Sequence, residues 1–113
     1  MIDSYDFGRI VIDGRRYTTD VIVFSDRVMD GWWRKEGHSL HIVDLKEAVR
    51  EKPEVLVVGT GYSGLMKIPA ETKRYVESMG IELIVQDTRE ACKTYNHLAE
   101  SKKKTAAALH LTC

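Results

Sequence analysis

Val55-Leu56-Val57-Val58 runs directly into Gly59-Thr60-Gly61-Tyr62-Ser63-Gly64, and no other stretch limits the fold of this chain as much. Consecutive apolar residues dominated by valine read as a strand buried on both faces, as in sheets covered by helices. A glycine-rich segment at the end of such a strand lies where open α/β sheets place their ligands. The pattern is also G-x-G-x-x-G, with Asp87 following at roughly the spacing at which a dinucleotide-binding unit carries its ribose acid. That cofactor reading fails on one point. In a dinucleotide site the glycines open straight into a helix whose first amides hold the pyrophosphate, whereas here Leu65-Met66-Lys67-Ile68 intervenes before Pro69 can start one. No cofactor is expected. What survives is a loop of backbone donors, a candidate rim for a small anion.

The rest of the chain alternates strands and helices. Phe7–Ile12 and Arg16–Thr18 flank Asp13-Gly14, a pair suited to a type I′ hairpin turn. Val21-Ile22-Val23-Phe24 reads as a second buried strand. Ser25-Asp26-Arg27, the Asp30-Gly31 turn and Trp32-Trp33-Arg34-Lys35 form the least regular region, in which a short strand followed by a loop through Gly37-His38 is expected. Asp44-Leu45-Lys46-Glu47 has the form of a capping box, with Leu45, Ala48 and Val49 at helical spacing and Pro53 blocking continuation. Beyond the glycines, Pro69 suits a first helical position, Ile68, Thr72, Tyr75, Val76 and Met79 form the apolar stripe, and Gly80 the C-terminal cap. Ile81–Val85 follows as a strand, which completes a strand–helix–strand unit with a right-handed parallel crossover. Asp87-Thr88-Arg89-Glu90 opens another helix, striped by Ala91, Cys92, Tyr95, Leu98 and Ala99. Lys102-Lys103-Lys104 is a solvated turn, and Ala106–Leu111 a last strand. One α/β domain over residues 1–113 is expected.

Composition excludes several partners. Lysine and arginine, 17 together, balance 17 aspartates and glutamates, so no global field draws nucleic acid or an anionic membrane. Near-neutral charge also favours association between copies of the chain. No apolar run approaches the roughly 18 residues of a membrane span. Met1-Ile2-Asp3-Ser4-Tyr5-Asp6 does not read as a signal or transit peptide, and a cytoplasmic location is expected. Cys92 and Cys113, with His97 and His110, lack the paired spacing of a zinc site, and no metal is expected. Cys92 falls on an apolar helix face, where a buried, inert thiol is the default.

Phe7-Gly8 with Ile10 and Ile12-Asp13-Gly14, Val57-Val58-Gly59-Thr60-Gly61, Gly80-Ile81 through Gln86-Asp87-Thr88, Glu90-Ala91-Cys92, Thr94-Tyr95-Asn96 and His110-Leu111-Thr112-Cys113 together carry a resemblance. The chain resembles a small domain family that includes the adipogenesis-associated domain protein of animals and, more distantly, a mitochondrial complex I assembly factor. The match covers nearly the whole chain. It implies a three-layer α/β fold with a mixed central sheet and an added N-terminal β-hairpin. It implies assembly or regulatory roles and carries over no catalytic residues.

The polar and aromatic residues that remain define two readings. Trp32-Trp33 beside Arg34 and Lys35 has the composition of an interface hot spot. His38 and Arg34 supply cations that could approach the Gly59-Thr60-Gly61 amides. Asp87 reads as a helix cap. Asn96, a poor residue for a helix interior, should answer a specific hydrogen bond. A His110-Cys113 nucleophile pair would require the last strand to break first, because neighbours two apart share a face and these do not. The first reading is a non-catalytic interaction or assembly module built on Trp32, Trp33 and the glycine loop, with a protein partner or a second copy. The alternative is an enzyme or sensor that holds an anionic ligand with Gly59, Thr60, Gly61, Arg34 and His38.

Overall fold

Asp13 and Gly14 have φ of 48° and 79°, the positive pair of a type I′ turn, and they join β2 (Arg9–Ile12) to β3 (Arg15–Tyr17) as the sequence predicts. Residues 1–113 are all described by the computed structural model. It adds a strand that the sequence does not announce. β1 (Ile2–Asp6) pairs antiparallel with β2, so the hairpin becomes a three-stranded sheet. Its pattern of acids and small polar residues hides it, and its attachment is made from afar: the Asn96 side chain accepts from Ile2 N and donates to Ile2 O, both at 2.8 Å. This is the hydrogen bond that Asn96 was expected to answer. Asn96→Ala is expected to remove about 1–2 kcal/mol of stability. Hydrogen exchange at β1 should accelerate more than at the core strands, and uniform protection would contradict the assignment.

The main sheet contains β4 (Val21–Val23), β5 (Val28–Met29), β6 (Val55–Gly59), β7 (Glu82–Gln86) and β8 (Thr105–Leu109), in the order β5-β4-β8-β6-β7. β6 pairs parallel with β7 and β8, and β4 pairs antiparallel with β8, so the sheet is mixed. The period-2 geometry of strands divides its buried residues between two cores. Ile22, Leu56, Val58, Ala106 and Ala108 face α1 (Lys46–Arg50) and α2 (Ala70–Ser78), with Trp32, Leu40, Leu45 and Val76. Val21, Val23, Val55, Val57, Ala107 and Leu109 face α3 (Thr88–Glu100) and the small sheet, with Ile2, Ile10, Ala91 and Tyr95. The domain is thus a three-layer α/β fold, with the small sheet sharing a layer with α3. No helix is long and apolar enough to cross a membrane.

The short strand of the irregular region is Val28–Met29, and Trp32–Lys35 belongs to the loop after it, where Trp32 turns into the core and its Nε1 donates to Asp44 O at 2.9 Å. Two local expectations need correction. Asp44 does not start its helix. It sits in a 3-10 turn, Ile42–Leu45, and its carboxylate accepts from the backbone of both His41 and Lys35. Pro69 is the N-cap of α2 rather than its first residue, while Gly80, at φ 77°, terminates the helix as expected.

Candidate functional site

The carboxyl ends of β6, β7 and β8 lie side by side, since Gly59 is in register with both Gln86 and Leu109. From β6 the chain goes to α2 on one face, and from β7 to α3 on the other. Such a divergence opens a crevice between strand ends in α/β sheets. Here hydrogen bonds close it. Thr60 N and Oγ1 both donate to Gln86 O, Gly61 N donates to Thr88 Oγ1 at 2.9 Å, and Thr88 N returns to Gly61 O at 3.1 Å.

Thr112 and Cys113 then lie over the loop. Tyr62 N donates to Thr112 O at 3.3 Å and Leu65 N to Cys113 O at 3.4 Å. This packing explains the glycines. A Cβ on Gly59 would sit 2.8 Å from Thr88 Oγ1 and 2.9 Å from Leu109 Cδ2, and one on Gly61 would sit 2.5 Å from Thr112 O. Close approach of chain to chain demands them here. The amides of Thr60, Gly61, Tyr62, Gly64 and Leu65 all donate within the chain.

Beside the loop is a cluster of partly buried polar groups. The Asp20 carboxylate receives Arg34 Nη1, His110 Nδ1 at 2.8 Å and Leu111 N at 2.7 Å. The side chains of Arg34 and His110 are only 6% and 7% exposed, so these charges act at reduced screening. Burial alone would raise the Asp20 carboxyl, but the hydrogen bonds from His110, Leu111 and Arg34 outweigh it and hold it below its ordinary value. Arg34 Nη2 also lies 2.9 Å from His110 Nδ1, and that nitrogen cannot both donate to Asp20 and accept from Arg34. The proton is assigned toward the carboxylate, the stronger acceptor; His110 Nε2 and Arg34 Nε, both buried, have no hydrogen-bond partner. Arg34 further covers the Trp32 ring at 4.9 Å. The cluster connects to the loop through backbone: His110 N donates to Gly59 O, and Thr88 Oγ1 donates to His110 O at 2.6 Å.

The residues singled out in the sequence therefore separate. Gly59, Thr60 and Gly61 meet Thr88 and the end of the chain. Arg34 reaches His110 and Asp20, and its guanidinium makes no hydrogen bond to the loop. His38 is exposed and makes no side-chain hydrogen bond, its carbonyl accepting from Lys67 N. Trp32 is a core residue at 6% exposure, so an interaction surface at this pair is left to Trp33, which is 79% exposed. Asp87 caps α3 by accepting from Glu90 N. Cys92 is buried, and burial with the Asp87 charge pushes its thiol up to about 12, which keeps it protonated and unreactive at neutral pH. Sequence inspection missed Asp20 and Thr88, the two residues that hold the cluster and the loop together.

Outside this network the loop is apolar. Tyr62 and Leu65 are exposed, and Tyr62 stacks edge-on against exposed Phe7, with ring centres 5.7 Å apart and Arg89 over the Tyr62 ring at 5.2 Å.

The chain is similar to proteins of known name and structure. It is 30% identical over 111 residues to NADH dehydrogenase [ubiquinone] 1 alpha subcomplex assembly factor 3 of Homo sapiens, and 27% identical over 111 residues to the Xenopus tropicalis protein of that name. Both alignments take in 96% of this chain and 59% of the relative, so it spans about three fifths of their length. A crystal structure of a conserved hypothetical protein from Pyrococcus horikoshii OT3 superposes with a TM-score of 0.83 at 30% identity, covering 100% of this chain and 99% of that one. Residues 2–110 match the model of a family described as protein of unknown function (DUF498/DUF598), and the chain belongs to that family.

Proposed function

We propose that the chain is a non-catalytic protein-interaction module, of the assembly or regulatory kind, that binds a protein through the exposed apolar rim of the glycine loop and through Trp33. One observation carries this reading. The groups that could do chemistry at the strand ends, Asp20, Arg34, His110, Thr88 and the loop amides, hydrogen-bond chiefly to one another, while Phe7, Tyr62, Leu65 and Trp33 are presented to solvent. Exposed aromatics near an arginine are the composition of interface anchors. The relatives named as assembly factors support the same class of role.

The alternative, an anion at Gly59-Thr60-Gly61 with Arg34 and His38, is less well supported because the Thr60 and Gly61 amides already have acceptors and Arg34 is paired with Asp20. A paired experiment separates the two readings. Phe7→Ser with Tyr62→Ser, and separately Trp33→Ala, should reduce co-purification of a protein partner at least tenfold, about 1.4 kcal/mol or more, with the melting temperature unchanged. Phosphate and sulfate at millimolar concentration should not stabilise the native chain. Unchanged co-purification together with a clear rise in melting temperature on adding phosphate would replace the interaction reading with the anion one.

A further inference from the structure

Four strand edges of this protein face away from their sheets, and three are blunted. β1 carries a bulge between Ile2 and Ser4, and the Asn96 amide occupies both backbone groups of Ile2. β3 is three residues long and includes Arg15 and Arg16, and β5 is two residues long. Short, bulged or charged edges are how proteins prevent strand addition. β7 is guarded only by Glu82 at its first position. It is Glu82-Leu83-Ile84-Val85-Gln86, five residues in unbroken register with β6, with no proline and no basic residue.

Its outer side is fully defined. Glu82 N donates to Glu54 O and Gln86 O accepts from Thr60 N, which places Glu82, Ile84 and Gln86 on the β6 side of an evenly spaced parallel ladder. The N–H and C=O groups of Leu83 and Val85 therefore face outward. Alongside, an open groove of about 500 Å³ is lined by Val85, Leu65, Ile68 and Lys73 among others.

From this edge we infer that the protein forms a two-fold homodimer in which β7 of a second copy adds antiparallel to β7, continuing the sheet across the interface. The edge is self-complementary in one register. With the two-fold axis at Ile84, Leu83 and Val85 are the outward-facing pair of each strand, so Leu83 exchanges both backbone bonds with Val85 of the partner subunit, and Val85 with the partner's Leu83. Apolar side chains meet apolar ones, and Glu82 falls opposite the partner's Gln86, so no like charges meet on the strands.

The flanking helix agrees with this register. α2 carries the chain from the end of β6 back to the start of β7 and so runs antiparallel to β7, and Lys73 lines the groove together with Val85. Glu77 is one turn further, about 6 Å along the helix, which matches the two-residue step of about 6.6 Å from Val85 to Leu83. The two-fold that puts Val85 beside the partner's Leu83 therefore puts Lys73 beside the partner's Glu77. Both residues are exposed, and neither has an ion-pair partner within the chain. Two copies each with 17 basic and 17 acidic residues carry no net repulsion.

This inference does not rest on Phe7, Tyr62 or Trp33, and its variants leave those residues intact. The test is the mass of the full chain by sedimentation and light scattering over a range of concentrations. The native chain should reach twice 12.9 kDa. Val85→Lys, which installs a basic guard on a side chain already at the surface, should yield monomer with native circular dichroism. Lys73→Glu and Glu77→Lys should each weaken the dimer about tenfold, as paired surface charges turned repulsive do, and the double exchange should restore it. Native chain that stays at 12.9 kDa at every concentration overturns the proposal, as does a Val85→Lys chain that remains dimeric or a double exchange without recovery.

Discussion

Gly61→Val is expected to unfold the domain or bring it close to unfolding. Gly61 has φ of 114°, a conformation that β-branched residues essentially never adopt. The Cβ alone would stand 2.5 Å from Thr112 O and 2.8 Å from the Cys113 carbonyl carbon, both backbone atoms that cannot rotate away. Strain of this kind costs about 1–3 kcal/mol, and displacing the final residues would also break the bond from Tyr62 N to Thr112 O and disturb that from Gly61 N to Thr88 Oγ1. Each such bond contributes about 1 kcal/mol. A total of about 4 kcal/mol is a large share of the 5–15 kcal/mol typical of a whole domain. Because the clash begins at Cβ, Gly61→Ala should lose most of the same amount in urea denaturation. An alanine variant with native stability would show that Thr112-Cys113 does not pack over the loop.

That result bears on how far the chain could be read before its structure. The strand–helix–strand unit was legible because its signals are local and periodic: Val55–Val58, the stripe ending at Gly80, and the Asp87 cap each depend on neighbours in sequence. The turn at Asp13-Gly14 was legible for the same reason. β1 was not, since its polar residues, Asp3, Ser4 and Asp6, become a strand only through β2 and Asn96, 94 residues from Ile2.

The site shows the same division. Glycine at positions 59 and 61 reads in the sequence as room for a ligand; in the structure the chain's own atoms come close, Thr88 and Leu109 at Gly59 and Thr112-Cys113 at Gly61. Sequence cannot distinguish the two, because both need an absent Cβ. Trp32 and Trp33 are identical neighbours with opposite fates, one buried and one 79% exposed, decided by which faces the Leu40 and Leu45 core. Asp20 carries no local sign of its role. Its partners Arg34, His110 and Leu111 lie 14, 90 and 91 residues away.

Asp20→Ala is expected to cost about 3–5 kcal/mol, the loss found when one member of a buried ion pair is removed and the other charge is left without compensation. The Arg34 guanidinium, 6% exposed, would have His110 and the Gly37 carbonyl as neighbours but no anion, and Leu111 N would lose its acceptor. The same carboxylate gives the protein an acid limit. Its folded-state value lies below the ordinary 3.8, so its stabilising contribution is complete above that value and is lost as pH falls through the lower, folded one. Acid unfolding of the native chain should therefore be steeper below about pH 4 than that of Asp20→Asn, which has no proton to take up there. The double variant Asp20→Ala with Arg34→Met decides between an unpaired charge and simple loss of packing. If the deficit comes from the stranded guanidinium, removing it should recover part of the stability lost by Asp20→Ala alone, because an apolar pair of similar volume tolerates burial where a lone charge does not. If the two losses instead add in chemical denaturation, Asp20 acts through its contacts with Leu111 and His110, and the ion pair with Arg34 is incidental to the fold.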